Sequence, residues 1–133
     1  MSLRREFDLL PEDLVFLEEY GLPWEAIVDG SHWILIHDFP APDGYHRSAA
    51  TAAVRIESGY PGAPLDMVYF TPALERADGK PIGATNVVQQ IDGRPFQRWS
   101  RHRTPANPWV AGEDNLSTHI QLVEDWLERE FRQ

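Results

Sequence analysis

The sequence has 133 residues, 42% of them hydrophobic and 25% charged, which is the make-up of one globular domain spanning residues 1–133. Its 21 acidic residues against 12 basic ones leave a net charge of −9, which argues against broad binding to nucleic-acid phosphates. It contains no cysteine, and that excludes disulfides, thiolate metal sites, iron–sulfur clusters and a cysteine nucleophile. No apolar run is long enough to span a bilayer, and the first residues lack the apolar stretch of a secretory signal, so a cytoplasmic location away from membranes is expected.

In chain order, Pro11 to Tyr20 predicts a helix. Pro11 suits a first turn, Glu12 and Asp13 suit its positive end, and Gly21 is a stop. Leu10, Leu14, Leu17 and Val15 supply its expected apolar stripe. Trp24 to Asp29 reads as a short strand, turned by Asp29-Gly30 into a second strand from Ser31 to Phe39. Alternation there puts Trp33, Leu35, His37 and Phe39 on one face, with His32, Ile34, Ile36 and Asp38 on the other. Ala50 to Glu57 and Leu65 to Phe70 read as two further strands. From Ala73 to Gly93 the pattern weakens, with one turn of helix or a short strand at Asn86–Ile91. Glu113 to Phe131 is the clearest helix, because Leu116, Ile120, Val123, Leu127 and Phe131 share a face. Asp114 is its expected N-cap, or Thr118 with Gln121 as a capping box. Helices segregated from consecutive short strands give an α+β class: helix, four-stranded antiparallel meander, irregular segment, helix.

The run Tyr60-Pro-Gly-Ala-Pro-Leu-Asp-Met-Val-Tyr-Phe-Thr-Pro72 resembles the third-to-fourth-strand region of ubiquitin-conjugating enzymes, and the order of elements matches as well. Phe16-Leu-Glu-Glu19, Asp38-Phe-Pro40, Gly44-Tyr45 and Phe96-Gln-Arg-Trp-Ser-Arg-His102 resemble more closely a bacterial ubiquitin-conjugating-enzyme-like branch. That branch is expected beside multi-ubiquitin-like, activating-enzyme-like and deconjugating-peptidase genes. The resemblance covers residues 7 to 130 and implies the fold of those enzymes. It also implies a ubiquitin-like protein and its activating enzyme as partners. Two departures stand out: the His-Pro-Asn motif is absent between Phe70 and Trp99, and the catalytic cysteine is absent altogether. By position, the place of that cysteine falls near Trp99-Ser100-Arg101.

Ser100 is therefore the candidate acyl acceptor, forming an oxyester in place of a thioester. A hydroxyl needs a base, and His102 shares its face in an extended segment. Arg98, Arg101 and Arg103 are candidates for holding an oxyanion or an acidic partner, or else for pairing with the chain's own carboxylates. Trp99 and Trp109 are core by default, or else wall a groove for an extended tail. The five histidines show no metal-ligand spacing, and no glycine-rich phosphate loop is present, so neither metal nor cofactor is expected. The rival readings are a non-catalytic relative that binds a ubiquitin-like protein or its activating enzyme, and an unrelated α+β binding module.

Overall fold

The computed structural model describes residues 3–132. Helix α1 (Pro11–Tyr20) opens with proline and closes on Gly21, whose φ of 84° suits a residue without a side chain. Its inward face is set by Asp13 and Leu17, while Leu14 and Val15 are exposed, so the expected stripe is displaced. Asp13 explains the displacement. Its carboxylate turns inward because it accepts hydrogen bonds from the Tyr60 hydroxyl (2.6 Å) and from the Leu116 N–H (3.2 Å). Burial pushes this carboxyl up, opposed by those two bonds, and pushes the Tyr60 phenol up as well.

Strands β1 (Trp24–Val28), β2 (His32–Pro40), β3 (Ala49–Ile56) and β4 (Val68–Thr71) follow, then β5 (Val88–Ile91) and β6 (Arg94–Trp99). The expected four-stranded sheet is corrected to six strands, all antiparallel, in the order β1-β2-β3-β4-β6-β5. The added β5–β6 hairpin turns at Asp92-Gly93, both with positive φ, in the two-residue geometry that matches strand twist. Within β2 the register shifts between Ile36 and Phe39, with Asp38 at φ 57°. That bulge overturns the expected alternation. Trp33 and Leu35 lie on one face, and Phe39 joins Ile34 and Ile36 on the other. The fourth strand begins at Val68 rather than Leu65, because Met67 takes a φ of 58° and breaks the extended run.

Helix α2 (Leu116–Arg129) is capped by Asn115, not Asp114. The Asn115 side chain accepts from the Thr118 N–H (3.2 Å), and the Thr118 hydroxyl oxygen accepts from the Asn115 N–H (3.0 Å). Asp114 is occupied elsewhere, accepting from the Val110 N–H. The face of Leu116, Ile120, Val123 and Leu127 is buried as the spacing implies, while Phe131 lies beyond the helix against Tyr45.

The main core lies between the two helices and one sheet face, around Ile34, Phe39, Val54, Phe70, Trp99 and Ile120. A second core of Ile27, Trp33, Leu35, Tyr69, Ile91 and Phe96 fills the other face. That face is closed because the sheet curls until its ends meet. The Asp92 N–H donates to Asp29 Oδ2 (2.8 Å), joining the β5–β6 turn to the β1–β2 turn. Arg4 spans the same seam, with bonds to both Asp92 oxygens (2.9 and 2.6 Å) and to Glu25. Among the described residues, no helix is long and apolar enough to cross a membrane.

Candidate functional site

The site forms where β6 ends. Trp99 is fully buried against Phe70 and Tyr45, and its indole N–H donates to Gln97 Oε1 (2.9 Å). A side chain so enclosed cannot wall an open groove, so the default core role is the one the structure gives Trp99. The chain then leaves the sheet. Ser100 N–H donates to Ala84 O (3.0 Å) and Arg101 N–H to Trp99 O (3.0 Å), while Arg101 O accepts from Met67 N–H (3.2 Å). The segment before β4 is thereby held alongside residues 100–102.

This brings three side chains into line. Ser100 Oγ lies 3.3 Å from His102 Nε2, and His102 Nδ1 lies 2.9 Å from both Asp66 oxygens. An ionised carboxylate only accepts, so Asp66 places the imidazole proton on Nδ1 and leaves Nε2 free to accept from the serine hydroxyl. The order hydroxyl, imidazole, carboxylate is that of an activated serine nucleophile. His102 is 57% exposed and Asp66 44%, so the imidazole stands at the surface. Asp66 is the residue that sequence reasoning missed. It lies 36 positions from His102 and carries no motif of its own.

A buried histidine supports the arrangement from beneath. His119 Nε2 on α2 donates to Met67 O (2.9 Å), next to Asp66, and its Nδ1 has no hydrogen-bond partner among the described residues. Burial pushes this imidazole down to about 4, and it is neutral under ordinary conditions.

The arginines divide into two pairs. Arg101 donates to Gly83 O (2.9 Å), reaches Glu130 at 3.6 Å and lies over the Trp99 ring. Arg103 bonds Asn107 (3.3 Å) and Asp114 (3.4 Å) and lies over Trp109. Trp109 in turn donates its N–H to Pro61 O (2.9 Å) and packs on Tyr60. Arg101, Arg103 and Trp109 therefore fasten the loops around Ser100. Arg94 and Arg98 make no salt bridge among the described residues, and both lie on the β6 face that carries Phe96. Among the described residues, no group of three or more histidine, aspartate or glutamate side chains is placed to hold a metal ion.

A sequence profile of the prokaryotic E2 family E matches residues 9–130. The chain belongs to the prokaryotic E2 family E. No curated protein and no solved structure matches it. This E2-like protein thus carries its family's sequence pattern across nearly its whole length, with a serine, a histidine and an aspartate converging after β6.

Proposed function

We propose that this E2-like protein is an acyl carrier in a bacterial ubiquitin-like conjugation pathway, with Ser100 in the role that a cysteine plays in ubiquitin-conjugating enzymes. The observation that carries the reading is the alignment of Ser100, His102 and Asp66. In the step proposed, Ser100 Oγ bonds to the C-terminal carbonyl carbon of a ubiquitin-like protein presented by its activating enzyme. The hydroxyl proton passes to His102 Nε2, and the activating group leaves with its electron pair. The product is an oxyester, which a nucleophile on the target then displaces.

Arg98, with no carboxylate paired to it among the described residues, is the proposed contact for an acidic partner surface. Arg101, Arg103, Trp99 and Trp109 hold the platform on which that contact and Ser100 sit. The curled sheet and paired helices then form a conjugating-enzyme-like single domain working in the cytoplasm, without metal or cofactor.

One observation favours a second reading. The N–H groups of residues 100 and 101 are already paired, with Ala84 O and Trp99 O, so neither is free to stabilise an oxyanion. A non-catalytic relative that only binds the ubiquitin-like protein or its activating enzyme would have no need of such donors.

Intact mass measured after mixing the chain with its activating enzyme, ubiquitin-like protein and ATP separates the two. An alkali-labile adduct that disappears in Ser100→Ala is expected. Binding without an adduct selects the non-catalytic reading. An adduct that resists alkali places the acyl group on Lys80 or the N-terminus and makes the protein a target.

A further inference from the structure

We propose that Ser100, His102 and Asp66 also make this protein an esterase, releasing small acyl groups from activated aryl esters to water. This rests on the reading of Ser100 as acyl acceptor but needs no protein partner. Three observations carry it. The serine, imidazole and carboxylate stand in the order that activates a hydroxyl. The imidazole is 57% exposed, so water reaches the same base that activates the serine. The N–H groups of residues 100 and 101 are both committed to carbonyls, and this selects the substrate.

The chemistry has two halves. Ser100 Oγ bonds to the ester carbonyl carbon, and its proton moves to His102 Nε2. The aryloxide leaves with its electron pair and takes that proton from the imidazolium, which restores Nε2 as a base. Water then bonds to the acyl carbon and gives its proton to His102 Nε2. Ser100 Oγ departs with its electron pair and recovers a proton from the imidazole. The products are a phenol and a carboxylic acid, and water is the sole co-reactant.

Without those two N–H donors the tetrahedral oxyanion depends mainly on solvent, and only a leaving group stable as an anion departs fast enough. Aryl esters meet that condition; peptide amides and alkyl esters do not. Acyl-Ser100 is itself an alkyl ester, so its hydrolysis is the slow half, and the acyl group accumulates on Ser100 after an initial burst of phenol.

The test uses the full chain with p-nitrophenyl acetate, following p-nitrophenolate release together with intact mass. The wild type is expected to exceed Ser100→Ala and His102→Gln by about 10²-fold, the usual worth of general-base assistance. One acetyl group is expected on Ser100. Asp66→Asn tests a positioning role: release slows, and its dependence on pH departs from the wild-type profile because the imidazole tautomer is no longer held. Tryptophan fluorescence of each variant checks that the fold is retained.

Release that is equal in wild type and Ser100→Ala overturns the proposal, since a surface imidazole alone then accounts for the rate. Acetyl found solely on Lys80 or the N-terminus overturns it as well. Failure of the carrier reading looks different: acetylation of Ser100 persists, yet no adduct forms with the ubiquitin-like protein. An adduct that forms without any Ser100-dependent esterase activity removes the esterase alone.

Discussion

Thr51, His37 and Glu25 make a chain of the same chemical types as Ser100, His102 and Asp66, and the two chains differ in their surroundings. Thr51 Oγ1 lies 3.1 Å from His37 Nδ1, and His37 Nε2 lies 2.9 Å from Glu25 Oε1. The hydrogen-bond order is preserved, although the imidazole is reversed end for end. His37 is 23% exposed and Glu25 12%, against 57% and 44% for His102 and Asp66. Glu25 is also bound by Arg4, which continues to Asp92 across the seam of the curled sheet. Thr51 sits mid-strand on β3, where its backbone is held by pairing with Thr71. The inner chain is a clasp. The outer one ends on a serine beyond the last strand, beside a carboxylate with no arginine attached among the described residues. Hydrogen-bond order alone therefore does not make a site. Exposure of the imidazole, and a carboxylate left available to it, separate the two.

The largest effect expected comes from putting a thiol in each hydroxyl position. Because the protein has no cysteine, Ser100→Cys and Thr51→Cys each create a single thiol. With the activating enzyme, ubiquitin-like protein and ATP, Ser100→Cys is expected to form an adduct cleaved by free thiols. Thr51→Cys is expected to form none on its new residue, and peptide mapping checks this. Acylation of the thiol in Thr51→Cys would erase the distinction between the chains.

Next in size is the platform beneath Ser100. Trp99→Ala removes a fully buried indole and is expected to cost about 3–5 kcal/mol in denaturant unfolding. A loss below ~1 kcal/mol would return Trp99 to the role of a groove wall.

Glu25→Gln probes the clasp. Hydrogen bonds to charged partners set the expected loss at about 1–3 kcal/mol, with Ser100 acylation unchanged. Burial pushes the Glu25 carboxyl up, but bonds and charge from Arg4 and His37 outweigh it and hold it below its usual range. Asp92 is likewise held down by Arg4. For a lowered carboxyl, the stability is present above its unfolded value and is lost as pH falls through the folded one. Denaturant midpoints measured against pH should therefore fall less steeply at the acid end in Glu25→Gln than in wild type.

At neutral pH the smallest effect belongs to His119, whose contribution changes only as pH falls. Its imidazole is lowered from 6.5 to about 4, so the unfolded chain binds a proton that the folded one refuses. Stability then declines as pH falls across that window, by at most about 1.4 kcal/mol per pH unit. His119→Gln is expected to flatten the decline. It should also loosen Asp66 through Met67, which a slower Ser100 acylation at neutral pH would reveal.

Much of this was legible in the sequence. The apolar steps from Leu116 to Leu127 dictate α2, and Gly21 and Asp29-Gly30 dictate the first stop and the first turn. Asp92-Gly93 carries the same hairpin signal as Asp29-Gly30. Reading it between Ile91 and Arg94 would have made the short strand readable at Asn86–Ile91 one arm of a hairpin and revealed β6 as the other. Ser100 and His102 were found because they are two residues apart, within the range where sequence spacing governs geometry. By itself, then, the sequence determined local elements, the absence of thiol chemistry, and one serine beside one histidine. Only the tertiary structure decided that Asp66 holds His102, that Trp99 faces inward, and that Arg101 and Arg103 are spent on Glu130 and Asp114. Those contacts join residues far apart in the chain, and the bulge at Asp38 and the left-handed Met67 help set which residues meet. Periodicity carries the direction of a side chain only until the backbone breaks its repeat.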